Sequence, residues 1–389
     1  MARSATNLHF SANQGLYWSG FCILFTFVVP LYRDFGYSEI TIGTLSMVMS
    51  LATACAQPLW GIACDRSAHL RRLFLLNILV AVPLAFGLLY SRGLPFLTGA
   101  AIFLLSSTYV SMGPMIDSWV MKLGNQGHAI HYSLTRGIGS LVYAGMAVGF
   151  GKLLDLAGLG IIPYAFLIVV GLLALVSFQT APPGREAHHG AGGNPFASMA
   201  TLVRNRRFML LLLALVLLYT GNGAIMVFMP VRMEILGGTN ATLGIAMTVM
   251  ALCEVPAMLL HHRIVRYIRN DRLLALSLVF FLIKGVATAF APSTTVLILV
   301  QVLQFASFGL FLPSAIHHIN HLVDEKSLVT ALMMFPSATY GVGMMLGGLA
   351  GGFLAEALGV QAMMLVLSGV TLAGIVLFAV GNRRHAAGG

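Results

Sequence analysis

Twelve runs of mostly apolar residues, each about twenty residues long, dominate the 389-residue sequence. A helix needs that length to cross the roughly 30 Å hydrocarbon core of a bilayer. In such a solvent the backbone must satisfy its own polar groups, so a continuous apolar run is left with the helix. The runs cover about 11–32, 41–63, 73–91, 95–121, 131–154, 159–179, 207–230, 241–262, 273–291, 294–320, 328–354 and 359–381. They are continuous and do not alternate, which excludes a membrane β-barrel. The expected fold class is an all-α polytopic membrane protein with twelve transmembrane helices. Charge agrees: Asp, Glu, Lys and Arg make up 9% of the chain, against about 25% in a soluble domain. The first run is too long for a signal peptide's apolar region, and Pro30-Leu31-Tyr32-Arg33 offers no small-residue cleavage pattern.

Basic residues orient the chain. With the N-terminus placed inside, sixteen of the 22 Lys and Arg fall in inner segments and four (Arg33, Arg92, Lys152 and Arg232) in outer ones. The remaining two, Arg136 and Lys284, lie within runs. The positive-inside rule then predicts an even helix count, both termini cytoplasmic and a place in the cell (plasma) membrane. The same bias accounts for the net charge of +10. No nucleic-acid partner is expected, because the basic residues are spread over seven segments.

A Gly/Pro-rich stretch between the sixth and seventh runs carries Pro182-Pro183-Gly184, His188-His189-Gly190 and Gly192-Gly193, the composition of a linker. It divides the chain into an N-terminal six-helix bundle (1–180), a cytoplasmic linker (181–206) and a C-terminal six-helix bundle (207–389). The halves echo each other: Tyr17, Pro30, Gly43 and Gln57-Pro58 recur as Tyr219, Pro230, Gly244 and Glu254-Val255-Pro256. A repeat of about 200 residues in the same membrane sense is the layout of duplicated six-helix transporters.

The second run ends Gly61-Ile62-Ala63-Cys64-Asp65-Arg66, followed by Leu70-Arg71-Arg72. This resembles the signature between helices two and three of the major facilitator superfamily. Tyr17-Trp18, Gln57-Pro58, Asp117, Tyr132…Arg136-Gly137-Ile138-Gly139-Ser140 and Glu254-Val255-Pro256 are similar to the subgroup containing lactose permease, nucleoside-proton symporters and the phenylpropionate permease. The resemblance implies two pseudo-symmetric six-helix bundles and alternating access. It also implies a gate at Asp65, Arg66 and Arg72, where an acid gains nothing from the topology rule.

Four acidic or basic residues fall inside runs and away from their ends: Asp117, Arg136, Glu254 and Lys284. A charge in hydrocarbon is costly, which makes each a functional candidate. Asp117 and Arg136 sit roughly 7 Å from the inner ends of antiparallel neighbouring helices, where the resemblance puts an acid and an arginine that bind sugar. A structural salt bridge is the alternative. Glu254, roughly 12 Å deep, and Lys284, roughly 18 Å deep, join Asp117 as proton-coupling candidates. Gln304 stands where helix ten of the subgroup often carries a proton-bearing couple, and an amide hydrogen-bonds without carrying one. With Asp117 and Arg136, the expected substrate contacts are Tyr17, Trp18, Gln57, Asn222 and Gln304.

Other signals carry less. His317 and His321 share a helix face and could ligate a metal, but no third ligand is near, so interface histidines are the simpler reading. His188 and His189 read as linker. Cys22, Cys55, Cys64 and Cys253 lie in apolar runs, where thiols behave as small apolar groups. The glycines around Gly341–Gly352 lack a preceding strand, so they read as close helix packing and not as a nucleotide fingerprint. No Walker or protease motif is present, so no cofactor or enzymatic activity is expected. The expected function is a secondary active transporter: a monomer moving a sugar, nucleoside or aromatic/organic acid with protons. Proton-driven efflux of drugs or metabolites is the alternative.

Overall fold

The computed structural model describes residues 2–66, 69–126, 132–180 and 195–386. Among the described residues, twelve helices are long and apolar enough to cross a membrane. They are α1 (Asn7–Asp34), α2 (Glu39–Cys64), α3 (Leu70–Tyr90), α4 (Pro95–Gly124), α5 (Thr135–Ala157), α6 (Leu159–Gln179), α7 (Arg206–Ile235), α8 (Asn240–Ile264), α9 (Asn270–Phe290), α10 (Thr294–Leu322), α11 (Thr330–Leu358) and α12 (Val360–Asn382). Each apolar run matches one of them to within a few residues at either end. His188 and His189 lie outside the described residues. The described part of the expected linker includes a short helix, Pro195–Arg204.

The chain packs into two compact units. One comprises Met1–Tyr37, Leu51–His188 and Gly238–Thr248; the other comprises Ser38–Ser50, His189–Gly237 and Val249–Gly389. The first turns of α2 therefore belong to the second unit, and those of α8 to the first.

Each of these exchanged helix starts is held the same way. In the first unit the Asp155 carboxylate, at the end of α5, accepts from the backbone N–H groups of Asn240 (2.9 Å) and Ala241 (3.0 Å). In the second unit Glu356, near the end of α11, accepts from Ile40 N–H at 3.1 Å. The first N–H groups of a helix have no partner within it and carry the positive end of its dipole, so an anion satisfies both needs. Asp155 and Glu356 are 201 residues apart, as are Gly36 and Gly237, and Gly158 and Gly359. Those four glycines all have φ near +80°, a conformation costly for residues with a Cβ.

The same register fixes two close helix crossings. A Cβ on Gly43 would lie 2.8 Å from Gly352 Cα and collide with the Gly348 carbonyl. A Cβ on Gly244 would collide with the Ala147 carbonyl oxygen and lie 2.7 Å from its carbon. Thr248 Oγ1 adds a 2.7 Å bond to the Ala144 carbonyl across the second crossing. The obstacles are mainly backbone, so a side chain cannot be absorbed by a rotamer change.

Several basic residues counted above for topology also cap helix C-termini. Arg71 donates to the Phe178 carbonyl at the end of α6 (3.1 Å), and Lys122 to the Cys64 carbonyl at the end of α2 (3.4 Å). Arg232 donates to the Ala289 and Ala291 carbonyls at the end of α9 (3.1 and 3.0 Å). Orphan carbonyls and the negative dipole end favour a cation there.

These crossings make a comparative prediction. Gly244→Val should lower the unfolding midpoint of the purified protein, with a cost of about 1–3 kcal/mol for overpacking. Gly145→Val, in α5 with open space around a Cβ, should do so much less. Equal midpoints would show that the α5–α8 crossing relaxes freely.

Candidate functional site

Asp117, Arg136, Glu254 and Lys284, the four ionisable residues expected within the apolar runs, fall in two separate sets, one in each unit. The first is built from α1, α4 and α5. Gln14 and Trp18 are four residues apart and so share a face of α1. Gln14 Nε2 donates to Asp117 Oδ1 of α4 at 2.8 Å, and its Oε1 accepts from Trp18 Nε1 at 3.1 Å. The Arg136 guanidinium of α5 lies over a Trp18 ring, 4.3 Å from the ring centroid, a cation–π contact. Asp117 and Arg136 thus join one set through Gln14 and Trp18. Glycine at 139 permits the approach, since a Cβ there would stand 2.8 Å from Trp18 Cδ1. Tyr17, Phe21 and Tyr143 complete an aromatic wall around Trp18, with ring centroids 5.2, 5.2 and 6.2 Å away.

Tyr17 is fixed by a proline. Pro114 has no N–H to give the Val110 carbonyl four residues before it, and the Tyr17 hydroxyl donates to that carbonyl at 3.2 Å. Tyr109 returns the bond, donating to the Tyr17 carbonyl at 2.7 Å while the two rings stack 5.3 Å apart. Residues 106–110 form a π-helical turn in α4, a local departure that often accompanies functional positions.

The second set is built from α8, α9 and α10. Lys284 is 3% exposed. Its ammonium donates to Gln304 Oε1 at 2.5 Å and lies 3.7 Å from Met250 Sδ. Gln304 Nε2 in turn donates to Glu254 Oε1 at 2.6 Å. One amide therefore joins a lysine to a glutamate: its oxygen takes the cation and its nitrogen the anion. Gln304 ends a tight 3₁₀ turn and is followed by a π-helical turn, Phe305–Gly309. Ala257 stands where a Cβ on Gly309 would be, which lets α10 lie close to α8.

The sequence-expected residues thus divide. Asp117, Arg136, Tyr17 and Trp18 meet in the first set; Glu254, Lys284 and Gln304 meet in the second. Gln57 on α2 and Asn222 on α7 are half-buried and join neither. Of the expected gate, the Asp65 and Arg66 side chains lie outside the described residues, and Arg72 is exposed. Gln14 was missed, although an amide one turn before Trp18 in an apolar run was the available signal. The Tyr109 bond to Tyr17, 92 residues away, has no local signature in the sequence.

The comparisons with known proteins agree on one kind of molecule. The model of the family described as MFS_1 like matches residues 12–366. The maltose permease of Geobacillus stearothermophilus is 29% identical over 363 residues, covering 92% of this chain and 90% of the permease. The crystal structure of a point mutant of the nucleoside transporter NupG superposes with a TM-score of 0.85 at 16% identity, covering 97% of this chain and 99% of that one. An inward-facing, unoccupied bacterial homologue of the human lysosomal transporter Spinster superposes with a TM-score of 0.74 at 15% identity, covering 98% and 97%. At such identities these two solved structures speak for the fold alone.

The bridging amide yields the prediction here. Gln304→Leu leaves a buried ammonium and a carboxylate without their link and should destabilise the protein by about 3 kcal/mol, read as a lower unfolding midpoint. Removing all three polar groups together, as Lys284→Met/Gln304→Leu/Glu254→Met, should recover most of that loss. A triple variant no better than the single one would refute the bridge.

Proposed function

The chain belongs to the MFS_1 like family of major facilitator transporters, and from that premise we propose that it carries a hydroxylated ring compound, a sugar first and a nucleoside second, into the cell by proton-coupled alternating access. It is a multi-pass membrane protein, not an enzyme. In this reading both termini are cytoplasmic, the chain works as a monomer, and the six-helix halves 1–180 and 207–389 are its moving parts.

The observation that carries the reading is the first polar set. A carboxylate, a guanidinium and an indole on adjoining helices are the groups that recognise a polyol. Asp117 accepts from hydroxyls, Arg136 donates to them, and the aromatic wall of Trp18, Phe21 and Tyr143 offers faces to the C–H side of a ring. The maltose permease and the nucleoside transporter NupG are by name carriers of hydroxylated rings, which favours those classes over an aromatic or organic acid. Substrate binding has to break the Gln14–Asp117 bond or extend it, so occupancy is coupled to the packing of α1 on α4. Gln57 and Asn222 supply further donors and acceptors.

Proton coupling is assigned to Asp117 and to the second set. Protonation of Glu254 would remove the anion that Gln304 holds, and Lys284, only 3% exposed, would then lose its balancing charge. Loading a proton therefore destabilises one arrangement of α8, α9 and α10, which is what a coupling step requires. Asp65, Arg66 and Arg72 act as the gate in this proposal.

Reconstituted protein should accumulate labelled maltose or another sugar when the lumen is made alkaline, and should exchange it in counterflow. Asp117→Asn and Arg136→Gln should each reduce both activities by about a hundredfold, the loss of charge-assisted bonds worth about 3 kcal/mol. Glu254→Gln should keep counterflow and lose proton-driven accumulation. If Glu254→Gln still accumulates substrate against a gradient, Glu254 is not the proton carrier.

A further inference from the structure

Neither polar set uses the side chain of Trp60, which lies towards the end of α2. Its indole Nε1 donates to the Ser107 carbonyl of α4 at 2.9 Å. Both residues belong to the first unit, and Ser107 lies inside the π-helical turn Ser106–Val110.

That turn is costly to keep. In an α-helix the Ser107 carbonyl would accept from the Ser111 N–H, but that N–H is turned to the Tyr109 carbonyl. Side chains supply the Ser107 carbonyl with donors: the Ser111 hydroxyl from the same helix, at 3.0 Å, and the Trp60 indole from another. The neighbouring Ser106 hydroxyl is buried with no hydrogen-bond partner. An irregular register of this kind persists when its surroundings over-determine it, and a bare carbonyl has no water to turn to in hydrocarbon.

The turn sets the direction of the groups around it. Tyr109, within it, donates to the Tyr17 carbonyl at 2.7 Å and stacks on the Tyr17 ring. The fit is close, since a Cβ on Gly20 would collide with the Tyr109 hydroxyl. Val110, the last residue of the turn, accepts from the Tyr17 hydroxyl. Asp117 follows about two helical turns later. A π turn holds one residue more than an α turn, so an α register here would rotate Asp117 by about 100°. That rotation would take its carboxylate away from Gln14 Nε2, now 2.8 Å from it.

We propose that Trp60 is a positioning residue for substrate recognition: its indole holds the π turn of α4, and through that turn the seat of Tyr17 and the direction of Asp117. The assignment rests on the sugar or nucleoside reading above, because it attaches Trp60 to the set that carries that reading.

The test uses the purified full chain, in detergent for hydrogen exchange and in liposomes for counterflow of labelled maltose, or of a nucleoside where maltose is not taken. Trp60→Phe keeps an aromatic ring and loses the donor. It should raise KM about fivefold, the worth of one hydrogen bond, and leave the maximal rate within about twofold. Without substrate, amide exchange in residues 106–117 should quicken about fivefold while that in α9, in the other unit, stays the same. Combined with Tyr109→Phe, the rise in KM should not exceed that of the more affected single variant, because both act through one turn. If Trp60→Phe does not fold, Ser111→Ala, which removes the other side-chain donor to the same carbonyl, should move both readouts in the same direction. Faster exchange with an unchanged KM makes Trp60 a structural clamp and overturns the proposal, as do unchanged exchange and additive effects in the double variant. A wild type that takes neither maltose nor a nucleoside refutes the transport reading and this assignment with it. A wild type that transports, with Trp60→Phe unaffected, refutes the assignment alone.

Discussion

In hydrocarbon a polar group that loses its partner cannot turn to water, and the cost of leaving it bare is several times what it would be at a wet surface. Much of the irregularity in this protein follows from that constraint. Pro114 strips a donor from the Val110 carbonyl, and a tyrosine from another helix supplies one. Gln304 is polar at both ends, and both ends are used. The ionisable residues of the two sets find side-chain partners on neighbouring helices, which spares them that cost. The sets in turn pin the helices that carry them: Gln14, Trp18, Asp117 and Arg136 tie α1, α4 and α5 together.

This constraint also explains what could be read from the sequence. Helix number is set by apolar length, a local property, and all twelve helices were legible from the runs. Buried ionisable residues were legible for the same reason: Asp117, Arg136, Glu254 and Lys284 stand out against apolar neighbours. Their partners were harder. Gln14 and Asp117 are 103 residues apart and Lys284 and Gln304 are 20 apart, and nothing local says that an amide will serve as a bridge. The basic residues show the same limit. Charge counting assigned Arg71, Lys122 and Arg232 to topology, while their bonds to helix-end carbonyls depend on which helix end packs beside them.

The repeat separates scaffold from chemistry. Features that recur at 201 residues are mechanical: the paired carboxylate caps Asp155 and Glu356, the positive-φ glycines and the close crossings at Gly43 and Gly244. Each depends on backbone geometry that a duplicated fold must keep in both copies. The ionisable residues of the polar sets do not recur at that spacing. Stepping 201 residues on from Asp117 and Arg136 gives His318 and Ser337; stepping back from Glu254, Lys284 and Gln304 gives Thr53, Pro83 and Phe103.

That asymmetry bears on how one fold divides two tasks. In the proposed mechanism substrate and proton use different sites, so the two units need not carry the same chemistry. The first unit keeps an aromatic, guanidinium-bearing set and the second a lysine–amide–glutamate bridge, each holding one acid and one base. A change in charge at one set is therefore not mirrored at the other. What the two units still possess in common is mechanical: the carboxylate-capped starts of α2 and α8 and the glycine crossings beside them.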